Sequence, residues 1–308
     1  MRLLKLGKIW QAFSLFCLIL FVSFTLKACT TSPTEVSEGT AAQAQVSSAG
    51  PSNASVYDRV LESGKIRAAY IVYPPGSYKD PNTGDLSGVF IDALNQVGKD
   101  LELEVEWTEE VAWGTMIEGL LSDRYDIVGN GIWETPGRGK VVDFTIPLFY
   151  SGLGVFVRSD ESRFDKDTQA ANSSDVKIAV IDGEISELMA KTKFPKAKPV
   201  SLGQISDVSQ MMLNVSQGKA DVAVIEPYIG YEYMQENPGA LKNVAQAQPI
   251  AVFGNSMMFR DNQPQFESML NTALQSQLNG GNISALMEKY IPEDGLMYSV
   301  AFPYRSDS

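Results

Sequence analysis

Along the chain, compact apolar runs alternate with stretches whose apolar residues recur at helical spacing. Residues 65–72 (KIRAAYIV) predict a strand, and residues 86–99 predict a helix with Val89, Leu94 and Val97 on one face. Residues 101–107 (LELEVEW) alternate with a period of two, the mark of a strand with one wet face. Trp113, Met116, Ile117, Leu120 and Leu121 fall at helical spacing, and 126–132 follows as a short buried strand. The same grammar returns further on. Residues 176–181 predict a strand, and Ile205, Val208, Met211, Met212 and Val215 a helix closed by Gly218. A strand over 221–225 follows. Met116 and Met211 each stand ten residues ahead of the aspartate that opens a strand, Asp126 and Asp221. Strands alternating with helices predict α/β architecture, here with two similar halves.

In open α/β sheets ligands bind beyond the carboxyl ends of strands, so the residues that follow each strand carry the chemistry. After 126–132 comes Trp133-Glu134-Thr135-Pro136-Gly137-Arg138. Thr135 is a good helix N-cap and Pro136 suits the first helical position, which puts Arg138 in a first turn beside free N–H groups. A forked guanidinium at a helix N-terminus suits an anion. The alternative is a surface arginine paired with a nearby acid. After 221–225 comes Glu226-Pro227-Tyr228. A carboxylate at the end of a buried strand can hold an ammonium group, although a solvated acid or a helix cap fits equally well. An arginine from one half and an acid from the other suit a zwitterion held between them.

The N-terminus follows different rules. Arg2, Lys5 and Lys8 precede an almost continuous apolar run over 9–26, then Leu26-Lys27-Ala28-Cys29. A basic start, an apolar core and a small residue before a cut site describe an export signal. With cysteine after the cut, it resembles a bacterial lipobox, in which Cys29 would carry the lipid; Lys27 departs from the usual residue there. A plain transmembrane anchor is the alternative. Residues 30–54, rich in Ser, Thr, Ala, Gly and Pro, predict a flexible tether. Either way the remainder is expected outside the cytoplasm.

Composition narrows the chemistry. The chain carries 25 basic and 37 acidic side chains, and four of the basic ones lie before Cys29, so the processed chain has a charge of −16. Nucleic acid is therefore not an expected partner, because phosphate contacts need Lys and Arg. With no histidine and only Cys17 and Cys29, His-based catalysis, histidine metal sites and cysteine zinc clusters are excluded. No metal, cofactor or catalytic constellation is expected.

The run GNGIWETPGRGKVVDFTIPLFYSG resembles the signature region of the bacterial extracellular solute-binding proteins of family 3. VLESGKIRAAY, GDLSGVFIDAL, AWGTMIEGLLSDRYDIV, GKADVAVIEP and LNTALQSQLNGGNISALMEKYI match in order over residues 56–292. The resemblance implies a type 2 periplasmic binding fold, two α/β lobes joined by two crossing strands. Lobe one would comprise 55–153 and 255–308, and lobe two 154–254. It also implies a monomer that captures an amino acid or other small amine-bearing solute and hands it to an ABC permease. By position, Arg138 would bind the ligand carboxylate. Glu226 and the Gly131 carbonyl would bind its ammonium, and Tyr73 and Trp113 would flank its side chain, although ordinary core packing explains these two aromatics nearly as well. Two departures stand out. Trp133 replaces a hydroxyl residue that helps hold the carboxylate, and Glu184 replaces another in the second lobe. Two other functions suit the same lobes: an accessory binding protein for a sensor, and a dehydratase with Glu184 or Glu187 as general acid.

Overall fold

The computed structural model describes residues 55–301; the export signal, Cys29 and the tether expected over 1–54 lie outside the described residues. Two sheets organise the chain. In the first, Lys65–Tyr70, Glu104–Glu110 and Ile127–Trp133 run parallel, with Lys65–Tyr70 between the other two. Val252–Arg260 then pairs antiparallel with Ile127–Trp133 and also with Val142–Phe144 and Phe149–Gly152; Met297–Ser299 closes that edge. In the second, Lys177–Ile181 lies between its parallel neighbours Lys198–Leu202 and Val222–Ile225. Gly154–Arg158 follows antiparallel beside Val222–Ile225, and Leu241–Asn243 forms the edge.

Each sheet therefore orders its parallel strands second, first, third, and completes itself with an antiparallel strand. The completing strand enters directly after a crossing. Phe149–Gly152 belongs to the first sheet and Gly154–Arg158 to the second, with only Leu153 between them. The return runs through Ile250 and Ala251. Leu153 N–H donates to the Ala251 carbonyl at 2.9 Å, and Ile250 N–H donates to the Leu153 carbonyl at 3.0 Å. The first sheet resumes at Val252, ahead of the expected 255, because Val252 and Phe253 already pair with Gly152 and Ser151.

The strands follow from their residues. Val222–Ile225 is an unbroken apolar run buried at all four positions, as a central strand covered on both faces must be. Glu104–Glu110, at an edge, alternates between half-buried and exposed. The halves also repeat a specific lock at the strand bases. Asp126 N–H donates to the Arg67 carbonyl at 2.8 Å while Arg67 N–H donates to Asp126 Oδ2 at 2.7 Å. Asp221 and Lys177 exchange the same two bonds, each at 2.8 Å. The ten-residue spacing seen in the sequence ends on these two aspartates.

Some local expectations shift. The helix expected over 86–99 runs Val89–Asp100, with Leu86–Ser87 a short strand. The strand expected over 101–107 is Glu104–Glu110, because the chain leaves the helix through Glu102 in a left-handed conformation, φ 56°. The helix expected from Ile205 begins only at Ser209, and Ile205 is 97% exposed in the loop before it. No α-helix follows Thr135: Arg138–Lys140 is a single 3-10 turn, and the chain passes directly into Val142–Phe144. Gly137 and Gly139, poor helix formers, flank Arg138 there.

Candidate functional site

The crossing brings the strand tips of the two sheets to one cavity of about 340 Å³. Tyr73, Trp113, Gly131, Trp133 and Arg138 line it from the first half, and Glu184 and Glu226 from the second. The loop Gln204–Val208 adds a wall that no motif announced; it follows Lys198–Leu202, another strand whose tip points the same way. Glu134 is not part of the lining and instead accepts a hydrogen bond from Ser256 Oγ at 3.0 Å. Glu187 is also absent from the lining, since its carboxylate accepts from Gly183 N–H at 3.0 Å and pairs with Lys191 at 2.6 Å.

Arg138 is held without a helix. Its N–H donates to Thr135 Oγ1 at 3.3 Å, so Thr135 caps a turn, and its guanidinium donates to the Trp133 carbonyl at 3.1 Å. Across the cavity, Glu184 lies 3.7 Å from the guanidinium. Burial lowers the affinity of Arg138 for its proton, and Glu184 opposes that shift. Burial likewise raises the Glu184 carboxyl, against the pull of Arg138.

Glu226 is only 3% exposed. Tyr73 donates to its Oε2 at 2.7 Å, from the other sheet's tip. Burial raises the Glu226 carboxyl, and hydrogen bonds from Ser151 and Tyr73 pull it partly back. Burial, then the charge of Glu226, raises the Tyr73 hydroxyl well above its ordinary range. Glu184 and Glu226 both occupy the position preceding a helix, Ile185–Lys193 and Pro227–Glu236, and neither side chain caps it. Glutamate is not a favoured cap, so both carboxylates are left for the cavity.

Trp133 takes no part as a donor to the cavity. Its indole N–H is engaged by Ser151 Oγ at 2.9 Å and Asn255 Oδ1 at 3.1 Å, and its ring stacks on Phe253 with centroids 5.0 Å apart. Asn255 Nδ2 donates to the same Ser151 Oγ at 2.8 Å, which leaves the Ser151 proton for Glu226. Ser151 and Asn255 thus tie the Trp133 wall to the buried acid. Neither was marked by the sequence, whose only signal was their place at the crossing. Tyr73 and Trp113 meet edge to face at 5.2 Å, and both rings also pack on the core beneath. A side chain at Gly131 would bring Cβ within 2.7 Å of the Phe90 ring, so only glycine lets that backbone pass. Gly183, at φ +81°, turns the chain that presents Glu184.

The cavity thus offers a cation from one side and two carboxylates from the other. A sequence model of bacterial extracellular solute-binding proteins, family 3, matches residues 66–293. A probable amino-acid ABC transporter-binding protein of Haemophilus influenzae is 26% identical over 176 residues, covering 56% of this chain and 63% of that protein. The L-cystine-binding protein TcyA of Bacillus subtilis is 24% identical over 229 residues, covering 72% and 79%. Among solved structures, an ancestral amino acid-binding protein, a precursor of cyclohexadienyl dehydratase, superposes with a TM-score of 0.66 at 29% identity. That match covers 77% of this chain and 99% of the other.

Proposed function

The chain belongs to the bacterial extracellular solute-binding proteins, family 3, and we propose that it captures an α-amino acid outside the cytoplasm and delivers it to the permease of an ABC importer. One observation carries this proposal: Arg138 and the buried Glu226 face a single cavity from opposite sheets. That is the charge arrangement of a zwitterion reversed, with a carboxylate site and an ammonium site lining one cavity. A guanidinium can take a carboxylate with two parallel hydrogen bonds. A buried carboxylate beside Tyr73 and Ser151 has hydrogen-bonding capacity left for an ammonium group. Relatives named for amino acids support the same class of ligand.

Two segments at Leu153 and Ala251 form the hinge, and a ligand that touches both lobes favours the closed arrangement. Thermal-shift measurement against the twenty amino acids, polyamines and dicarboxylates tests the proposal, since binding to the folded state alone raises the midpoint with ligand concentration over Kd. An amino acid is expected to raise it. If succinate raises it as far as any amino compound does, the ammonium role of Glu226 is wrong.

We read the protein as a monomeric carrier that releases its ligand unchanged, as the binding proteins of its family do. Recovery of a chemically altered ligand after incubation would instead make it an enzyme. Anchoring through a lipid on Cys29 completes the proposal, with residues 30–54 as the tether. Fatty-acid labelling of cells checks it: label is expected in the wild-type chain and lost in Cys29→Ser.

A further inference from the structure

The charges around the cavity do not balance for a neutral amino acid, and the imbalance has an address. Among the described residues that line the cavity, Arg138 is the one basic side chain, against Glu110, Glu184, Asp207 and Glu226. Two of these acids are exposed and already engaged. Glu110 pairs with Lys79 at 2.7 Å, and Asp207 accepts from Ser209 N–H at 2.8 Å. The inner set is then Arg138, Glu184 and Glu226.

In the zwitterion arrangement proposed above, on which this inference rests, Arg138 turns to the ligand carboxylate and Glu226 to the ligand ammonium. Glu184 loses the one cation it pairs with among the described residues and is left facing the ligand. Its distance from Arg138, 3.7 Å, makes it a loose partner that a bidentate carboxylate displaces. Its carboxylate forms no cap bond with the helix it precedes, which leaves it directed at the cavity. A half-buried acid beside a bound carboxylate is costly unless a positive charge meets it.

We propose that Glu184 sets the charge of the ligand: it selects an α-amino acid with a second, distal cation, which takes the place that Arg138 leaves. The same carboxylate stands 3.7 Å from Arg138, so one residue both guards the carboxylate site and recognises the ligand's second positive charge.

Titration calorimetry on the full chain in detergent, with L-arginine, L-lysine, L-glutamine and L-leucine, tests this. The wild-type protein is expected to favour L-arginine or L-lysine over L-glutamine by about tenfold or more, the scale of one partly buried ion pair. Glu184→Gln is expected to erase most of that preference, by weakening the cationic ligand and strengthening L-glutamine. Glu184→Asp, which keeps the charge, is expected to retain a preference for the cation. If amino acids bind but Glu184→Gln leaves the ratio unchanged, Glu184 does not set the charge. If no α-amino acid binds the wild type or either variant, the amino-acid proposal fails with it.

Discussion

The bases and tips of the strands Ile127–Trp133 and Val222–Ile225 are chemical opposites. At the first base, Asp126 is buried against the guanidinium of Arg67 at 2.8 Å and that of Arg59. At the second, Asp221 meets Arg163 at 2.7 Å and Arg158 at 3.9 Å, and the neighbouring Glu161 shares Arg163, also at 2.7 Å. There each acid also has backbone or arginine partners to spare. At the tips the ratio reverses: Glu226, with Glu184 beyond the neighbouring Lys177–Ile181, faces a cavity in which Arg138 is the one basic side chain among the described residues. The difference separates an ion network that completes itself on folding from one that needs a further charge. Both consist of the same residue types, so composition does not distinguish them. The ledger of partners does.

The contrast is easiest to break at the bases. Asp126→Ala strands two arginines and the Arg67 N–H, which is expected to cost about 3–5 kcal/mol of stability. A urea midpoint measures it. Ligand affinity of the folded fraction should not change, and a midpoint within error of wild type would refute the structural lock.

At the tips the expected effect moves from stability to binding. Arg138→Lys keeps the charge but loses the fork, and should cost about 1.5–3 kcal/mol of ligand binding. Its urea midpoint should move by less than about 0.5 kcal/mol. Unchanged affinity in calorimetry would remove Arg138 from the site.

A smaller loss, about 1–2 kcal/mol of binding, is expected for Glu226→Gln, because an amide still accepts from Tyr73 but cannot neutralise an ammonium. Calorimetry with the ligand found by thermal shift decides it, and an affinity equal to wild type would leave the ammonium unassigned.

The smallest effect is the sharpest, because the two acid sets should respond to pH in opposite directions. Burial holds the Glu226 carboxyl above its ordinary 4.5, so its contribution to stability is present below that pH and lost as pH rises through the folded value. Glu161 is held down to about 2 by Arg163, so its contribution is present above 4.5 and lost as pH falls toward 2. Melting temperatures of wild type, Glu226→Gln and Glu161→Gln across the acid and neutral range test both. Glu226→Gln should gain on wild type as pH rises above 4.5. Glu161→Gln should lag wild type near neutrality and rejoin it in strong acid. Parallel profiles for all three would mean that the tips and bases do not differ in the way their geometry indicates.

Much of the architecture was legible because burial is written locally. An unbroken VAVI run or an EVEW alternation states how many faces of a strand are covered, wherever the strand lies in the sheet. Repeated spacing ahead of Asp126 and Asp221 marked two like halves, and the ordered motifs named the family. Arg138 and Glu226 stood out for a similar reason, as charged residues directly after buried strands. What the sequence could not state was partnership across the crossing. Trp133 stands 18 residues from Ser151 and 122 from Asn255, yet these two consume its indole N–H. Tyr73 reaches Glu226 across 153 residues. Glu184 stood out as a carboxylate where a hydroxyl residue is expected, but its position 3.7 Å from the Arg138 guanidinium was not legible. Hydrophobic periodicity fixes which side of an element is buried, but a hydrogen bond or an ion pair depends on distances of a few ångströms between strand tips. Those distances exist only once the two sheets have been joined at Leu153 and Ala251.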